Sequence, residues 1–316
     1  MKDERDFEVV DDYRFRPTDL EATERRPGIS AFMRIRNGAA FLEPTIRSHI
    51  DHFDEIVAVF NRSTDATPEI LAGLRREYGP KLRVFHYLPP VFPPGSQGHA
   101  SEPADSPRSM VTYSNFAIAR TRFAVATKLD DDHLARGEAL SAAVRRVRTG
   151  GETDRAMLCF SGLNLARDEA GTLGILAREP FTAVADHTFF RVSAQTHFVH
   201  DARFEHFRAP GLGRAYAGIL YWHLKYLKPG FGFANAEIEG GGNPRFARKR
   251  ERFLADRRVL PPGALADLTP PFWSILARLP LPQKPRLLAD RWREISEHPP
   301  RAVELAEAER QLNGAR

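Results

Sequence analysis

Residues 28 to 88 alternate between two hydrophobic periods, and this narrows the folds open to the chain more than any other feature. "ISAFMRI" reads as a strand. "FLEPTIRSHIDHF" carries Leu42, Ile46, Ile50 and Phe53 at helical spacing. "EIVAVF" is a second strand, short, apolar and β-branched. "TPEILAGLRREYG" predicts a helix with Thr67 as its N-cap, Pro68 in the first turn and Gly79 at the exit. "LRVFHYL" is a third strand. Strand, helix, strand, helix, strand in this order predicts a parallel α/β sheet with right-handed crossovers.

Upstream, residues 1–27 are polar and are expected to form a loosely ordered arm. Downstream, "PPVFPPGSQGHASEPADSPRS" is dense in Pro, Gly and Ser and predicts a long loop, mobile over a site. A helix over about 110–122 leads to an apolar strand, Phe123 to Thr127, and "LARGEALSAAVRRVRTG" predicts another helix. "RAMLCFSGLNLA", "TFFRVSA" and "HFVHDARFEHF" look strand-like. A Gly-rich break, "EGGGNP", precedes an arginine-rich, helical stretch from about residue 245. The expected organisation is an arm over 1–27, one α/β domain over 28–240 and a C-terminal helical extension over 241–316. There is no internal repeat.

The 316 residues suit one large domain, or a domain plus an extension. A single cysteine, Cys159, excludes a disulfide framework and a cysteine-based zinc cluster. No run of about 18 apolar residues occurs, and the charged N-terminus lacks the apolar segment of a secretory signal. A cytoplasmic setting is expected, at the inner face of the membrane if a membrane is involved. The net charge of +5 is scattered among acids, without a basic run that has interleaved aromatics. Nucleic-acid binding is therefore not expected.

The strand ending at Thr127 runs into "KLDDDHLAR". In an open parallel sheet, ligands bind beyond the carboxyl ends of the strands. Three adjacent carboxylates repel one another unless a cation or protonation relieves them. Oxygen ligands of this kind suit Mg²⁺ or Mn²⁺. On an extended segment Asp130 and Asp132 share a face and Asp131 opposes them. The bland alternative is a solvated acidic loop capping the next helix.

Three motifs in order resemble the GT-A glycosyltransferases, specifically the family-2-like nucleotide-sugar transferases. "FNRSTDAT" stands where that family has a "DDGSTDGT"-type motif. "YSNFAIARTRFAVATKLDDDH" places Asn115 on a helix before a strand that ends in acids, like the family's "LDADD". The likeness covers about residues 28 to 135. It implies a GT-A fold, a mainly parallel central sheet flanked by helices, with a nucleotide-binding half over 28–135 and an acceptor half over 136–240.

It also implies roles. Asp130, Asp131 and Asp132 look like the family's DxD motif, with Asp130 facing ribose or base. Asp132, with Asp130, would hold a Mn²⁺ or Mg²⁺ that bridges the donor diphosphate. Asn61, Ser63, Asp65 and Asn115 are the implied nucleotide contacts. Asn61-Arg62 replaces the motif's first acidic pair, so base recognition is expected to differ. Arg34 and Arg36 are expected to pair with phosphate, Arg36 being equally a surface residue. Lys128 is grouped with the donor contacts, or simply balances the aspartates. "YWHLKYLK" resembles a late segment in which a histidine joins the metal, giving His223 as ligand and Lys225 as a phosphate cation. The alternative there is a helix with Tyr221, Leu224 and Leu227 packed inward.

An inverting transfer, favoured through the resemblance alone, needs a general base. Asp186 in "DHTFFRV" is the first choice and Glu205 the second, with Asp201 a third. Each also reads as a turn or cap residue. His187, His197, His200 and His206 do not have metal-site spacing and read as polar lining or solvated residues. Phe272 and Trp273 offer a peripheral membrane anchor, or a helix docked on the domain. The expected activity is transfer of a sugar from a UDP- or GDP-type donor to a hydroxyl of a glycan or glycolipid, in surface polysaccharide assembly. Two rivals are a sugar nucleotidyltransferase, whose glycine-rich phosphate loop "MRIRNGAAFL" lacks, and a non-catalytic nucleotide-sugar-binding module.

Overall fold

The computed structural model describes residues 7–21, 24–201, 204–232, 244–270 and 283–314. From the N-terminus its elements are β1 (Glu8–Val10), β2 (Arg26–Ile35), α1 (Leu42–His49), β3 (Glu55–Phe60), α2 (Thr67–Tyr78), β4 (Leu82–Tyr87), α3 (Gln97–Ser101), α4 (Met110–Ala119) and β5 (Phe123–Lys128). There follow β6 (His133–Ala135), α5 (Gly137–Gly150), β7 (Ala156–Arg167), β8 (Leu173–Leu176), β9 (His187–Arg191), β10 (His197–His200) and β11 (Glu205–Arg208). The last are β12 (Gly213–His223), α6 (Pro244–Ala255), β13 (Val259–Leu260), α7 (Gln283–Glu297) and α8 (Ala302–Gly314). The chain divides into two compact units. Among the described residues, the first comprises those of 7–131 and 189–212, and the second those of 132–188, 213–232 and 244–314.

The first unit is the parallel α/β sheet that the alternating periods predict. β1, β4, β3, β2 and β5 lie side by side, every pair parallel, and β9 adds an antiparallel strand on β5. All six residues of β3 are buried, as a strand covered on both faces requires. Its first residue, Glu55, is fully buried, and four donors meet its carboxylate: Ser30 Oγ at 2.8 Å, Arg122 Nε at 2.8 Å, the Arg122 amide at 2.5 Å and Arg83 Nη1 at 3.4 Å. α4 is anchored from above by Tyr113, whose hydroxyl donates to the Val59 carbonyl at 2.6 Å.

In the second unit β12 runs parallel to β7, with β6 antiparallel along the end of β12 and β8 antiparallel on β7. β12 bulges between Tyr216 and Gly218 and again between Ile219 and Tyr221. α7 answers these irregularities. Glu294 accepts from the Ile219 amide at 3.2 Å and from the Tyr216 hydroxyl at 2.6 Å. Arg136 ties α8 to β12, pairing with Glu304 at 2.8 Å while donating to the Ile219 carbonyl at 2.7 Å. Cys159 is buried, and burial pushes its thiol up to about 11.

Four local expectations are corrected. From Phe7 to Val10 the N-terminal stretch is docked rather than loose: β1 pairs with β4, and Phe7, fully buried, packs edge-on against Phe60 at 5.5 Å. The loop after β4 is ordered, with the short α3 in it, the Tyr87 hydroxyl on the Pro107 carbonyl and Thr112 Oγ1 on the Ala104 carbonyl. Thr67 is the first helical residue rather than the cap. Asp65 Oδ1 accepts its amide at 3.1 Å, and its hydroxyl accepts the Gly38 amide. The helix expected from Leu134 begins only at Gly137, because His133–Ala135 pair with β12. Phe272, Trp273 and nearly all of "EGGGNP" lie outside the described residues. No helix among the described residues is long and apolar enough to cross a membrane.

Phe7→Ala is expected to destabilise the chain by about 3–5 kcal/mol, the usual cost of emptying a phenylalanine site. Urea denaturation reads this directly; an unchanged midpoint would return the segment to the status of an undocked arm.

Candidate functional site

The register of β6 on β12 builds the site. His133 stands opposite His223, and Asp132 is thereby carried to the end of β12, where its carbonyl accepts the Leu224 amide at 2.8 Å. The Asp132 side chain is 8% exposed as a residue, which demands partners for its charge. Lys228 Nζ lies 3.0 Å from Oδ2, and His223 Nε2 and His133 Nε2 lie 3.6 and 4.0 Å from Oδ1. The donor atoms of Asp132, His133 and His223 all fall within 4.8 Å of one another, close enough to share one ion.

Each ring is held from behind. His223 Nδ1 is 2.7 Å from Asn164 Oδ1 on β7. His133 stacks on Tyr221 with centroids 3.7 Å apart and planes 19° apart. Gly162 makes that stack possible, since a Cβ there would overlap the Tyr221 ring. The Tyr221 hydroxyl is shared with Thr182 Oγ1 at 2.8 Å. Contrary to the helical alternative, Tyr221 and His223 sit on a strand, followed by a 3-10 turn over Lys225–Leu227.

That turn brings a second cation to the cluster. Burial pushes the Lys225 ammonium down to about 8; Lys249 acts the same way, while Asp132 and Glu179 oppose it. Glu179 is itself occupied by Lys249 Nζ at 3.2 Å and the Tyr226 hydroxyl at 3.1 Å. Asp132, His223 and Lys225 thus lie in one neighbourhood, together with His133, Asn164 and Lys228. A lone asparagine in the apolar run "CFSGLNLA" was the available sign of Asn164, because a buried amide needs partners. Asp186 is exposed on the bend before β9, and the adjacent His187 is buried against His133 at 4.6 Å rather than solvated.

In the first unit the expected donor residues are largely engaged with their own backbone. Asn61 donates to the Tyr87 and Pro89 carbonyls at 2.6 and 2.7 Å. Ser63 Oγ, Thr67 Oγ1 and Asp65 Oδ2 accept the three successive amides of Asn37, Gly38 and Ala39, lacing the loop after β2 to the loop after β3. Asn115 takes both backbone groups of Phe198, at 2.8 and 2.9 Å, and so fixes the β10–β11 hairpin to α4.

Arg34 reaches the same hairpin. Its Nη1 bonds Glu205 Oε1 at 2.5 Å and Ser114 Oγ at 2.6 Å. Burial works against the Arg34 charge, but Glu205 and Asp130 overcome it and its pKa is raised. Burial likewise works against the Glu205 charge, and Arg34 reverses that, holding the carboxyl below its usual range. Arg36 is half-buried. Lys128 Nζ is 3.2 Å from Asp130 Oδ2, and Gly38 lies so close to Asp131 that a Cβ would come within 2.6 Å of Oδ2. Asp201 pairs with His206 Nε2 at 3.4 Å.

Among solved structures, the chain is similar to glucosyl-3-phosphoglycerate synthase from Mycobacterium tuberculosis. With the complex of Mn²⁺, UDP-glucose and phosphoglyceric acid it shares 18% identity over 50% of this chain and 51% of the other, with a TM-score of 0.30. That alignment spans about half of the mycobacterial chain. With the complex of Mn²⁺, UDP and glucosyl-3-phosphoglycerate the figures are 15%, 77% and 87%, with a TM-score of 0.36. With the complex of Mn²⁺, UDP-glucose and glycerol 3-phosphate they are 15%, 77% and 87%, with a TM-score of 0.37. No family model and no curated protein matches the chain.

Asn115→Leu is expected to cost about 1–3 kcal/mol, because it removes at once the partners of the N–H and the carbonyl of the half-buried Phe198. Thermal denaturation measures the loss; an unaltered melting temperature would show that the amide does not hold the hairpin.

Proposed function

We propose that the chain is a metal-dependent glycosyltransferase that moves a sugar from a UDP- or GDP-type nucleoside-diphosphate sugar to a hydroxyl of a glycan or glycolipid. The reading is carried by one observation. A buried carboxylate and an imidazole, Asp132 and His223, face each other at 3.6 Å, with Lys228 at 3.0 Å and Lys225 in the same field. At 3.6 Å the two groups are too far apart for a hydrogen bond.

The donor set fits a divalent ion with affinity for nitrogen as well as oxygen, and Mn²⁺ better than Mg²⁺, which prefers oxygen and water. Such an ion would stabilise the negative charge that collects on a departing nucleoside diphosphate. Lys225 and Lys228 supply further positive charge for phosphate oxygens. Asp130 keeps the ribose- or base-facing role that the family resemblance implies. For the acceptor proton, the solvent-reaching Asp186 is preferred to Glu205, whose basicity Arg34 lowers.

Thermal-shift measurement with UDP, GDP and their sugars tests the donor site. An upward shift is expected for one nucleotide, lost with EDTA and lost in Asp132→Asn. A shift indifferent to both would sink the metal assignment. A metal-dependent shift with no hydrolysis or transfer in any acceptor screen would favour the binding-module reading. Asp186→Asn is expected to lower kcat by about 10²–10⁴-fold while leaving the donor-induced shift in place. Loss of that shift would instead make Asp186 a donor contact.

A further inference from the structure

Asn164 is 2% exposed on β7, and both ends of its amide are committed. Nδ2 donates to the Glu179 carbonyl at 2.8 Å, and a carbonyl can only accept. The other end facing His223 must therefore be Oδ1, also only an acceptor. The His223 nitrogen 2.7 Å away, Nδ1, is then the one that carries the proton. In a neutral ring this leaves Nε2 with its lone pair, and Nε2 is the atom 3.6 Å from Asp132 Oδ1. The Glu179 carbonyl thus sets a polarity that passes through one amide to the ring.

We infer that Asn164 is the positioning residue of the metal centre: it holds His223 in the Nδ1–H tautomer and aims Nε2 at the space beside Asp132. The inference rests on the metal reading above. Outer partners of this kind fix both the tautomer and the ring direction of a ligating histidine, and their loss typically costs about 10–100-fold in metal affinity.

Long-range ¹H–¹⁵N spectra of the histidine rings test the tautomer in the metal-free full chain, the His223 signal being identified by its loss in His223→Ala. The Nδ1–H pattern is expected in the wild type and in Asn164→Asp, which keeps an acceptor at that place. A change toward Nε2–H or exchange between forms is expected in Asn164→Leu. Wild-type His223 in the Nε2–H form, or an unaltered Nδ1–H form in Asn164→Leu, overturns the inference.

Mn²⁺ titration followed by electron paramagnetic resonance supplies the second arm. Asn164→Leu should weaken binding about 10–100-fold, Asn164→Asp should restore most of it, and Asn164→Leu should add nothing in a His223→Ala background. Equal losses in both backgrounds would mean that Asn164 acts only on folding. Unchanged Mn²⁺ affinity in His223→Ala overturns the metal reading instead, and the ring spectra separate the two failures.

Discussion

Burying the carboxylate of Asp132 costs several kcal/mol unless cations or donors meet it, and the second unit is arranged around that requirement. The β6–β12 register carries the residue to the end of β12. The Leu224 amide fixes its backbone, and Lys228, beyond the 3-10 turn, reaches its side chain. The helices behind β12 serve the same end at a distance. Glu294 and Arg136 satisfy backbone groups of a bulged strand, so the strand keeps its course to His223.

The first unit uses polar residues differently. Its loops after β2 and β3 carry the serine, threonine, aspartate and asparagine that the family resemblance associates with a nucleotide. Here Ser63, Asp65, Thr67 and Asn61 satisfy amides or carbonyls of the chain itself. Short polar side chains hydrogen-bond nearby backbone readily, so the same residue types serve a lacing role as well as a binding one. Asn115 is the clearest case, with both its amide nitrogen and its amide oxygen bonded to Phe198.

Much of the fold was legible. Period and turn chemistry placed β2, α1, β3, α2 and β4 in order, and parallel pairing followed. The stretches that misled had weak or conflicting local signals. "HLA" after the aspartates is too short to show a period, so its pairing with Tyr221–His223 was hidden inside an expected helix. Phe7 stood alone among charges, and only β4 and Phe60 give it a place. Of the candidate site, Asp132, His223 and Lys225 were named from motif likeness. His133, Asn164 and Lys228 show no such sign, because the site partners that place them, His223 for Asn164 and for His133 and Asp132 for Lys228, lie 59 residues away in the chain for Asn164 and farther still for the other two.

By itself the sequence determined the alternation of strands and helices, the acidic end of β5 and the stock of side chains able to bind a cation, because these are set by residue type and local spacing. Tertiary structure alone decided which aspartate is buried, which histidine faces it and which nitrogen of that ring carries the proton. Those choices depend on cross-strand register and on a backbone carbonyl at Glu179. Such long-range contacts leave no period in the sequence for a reader to find.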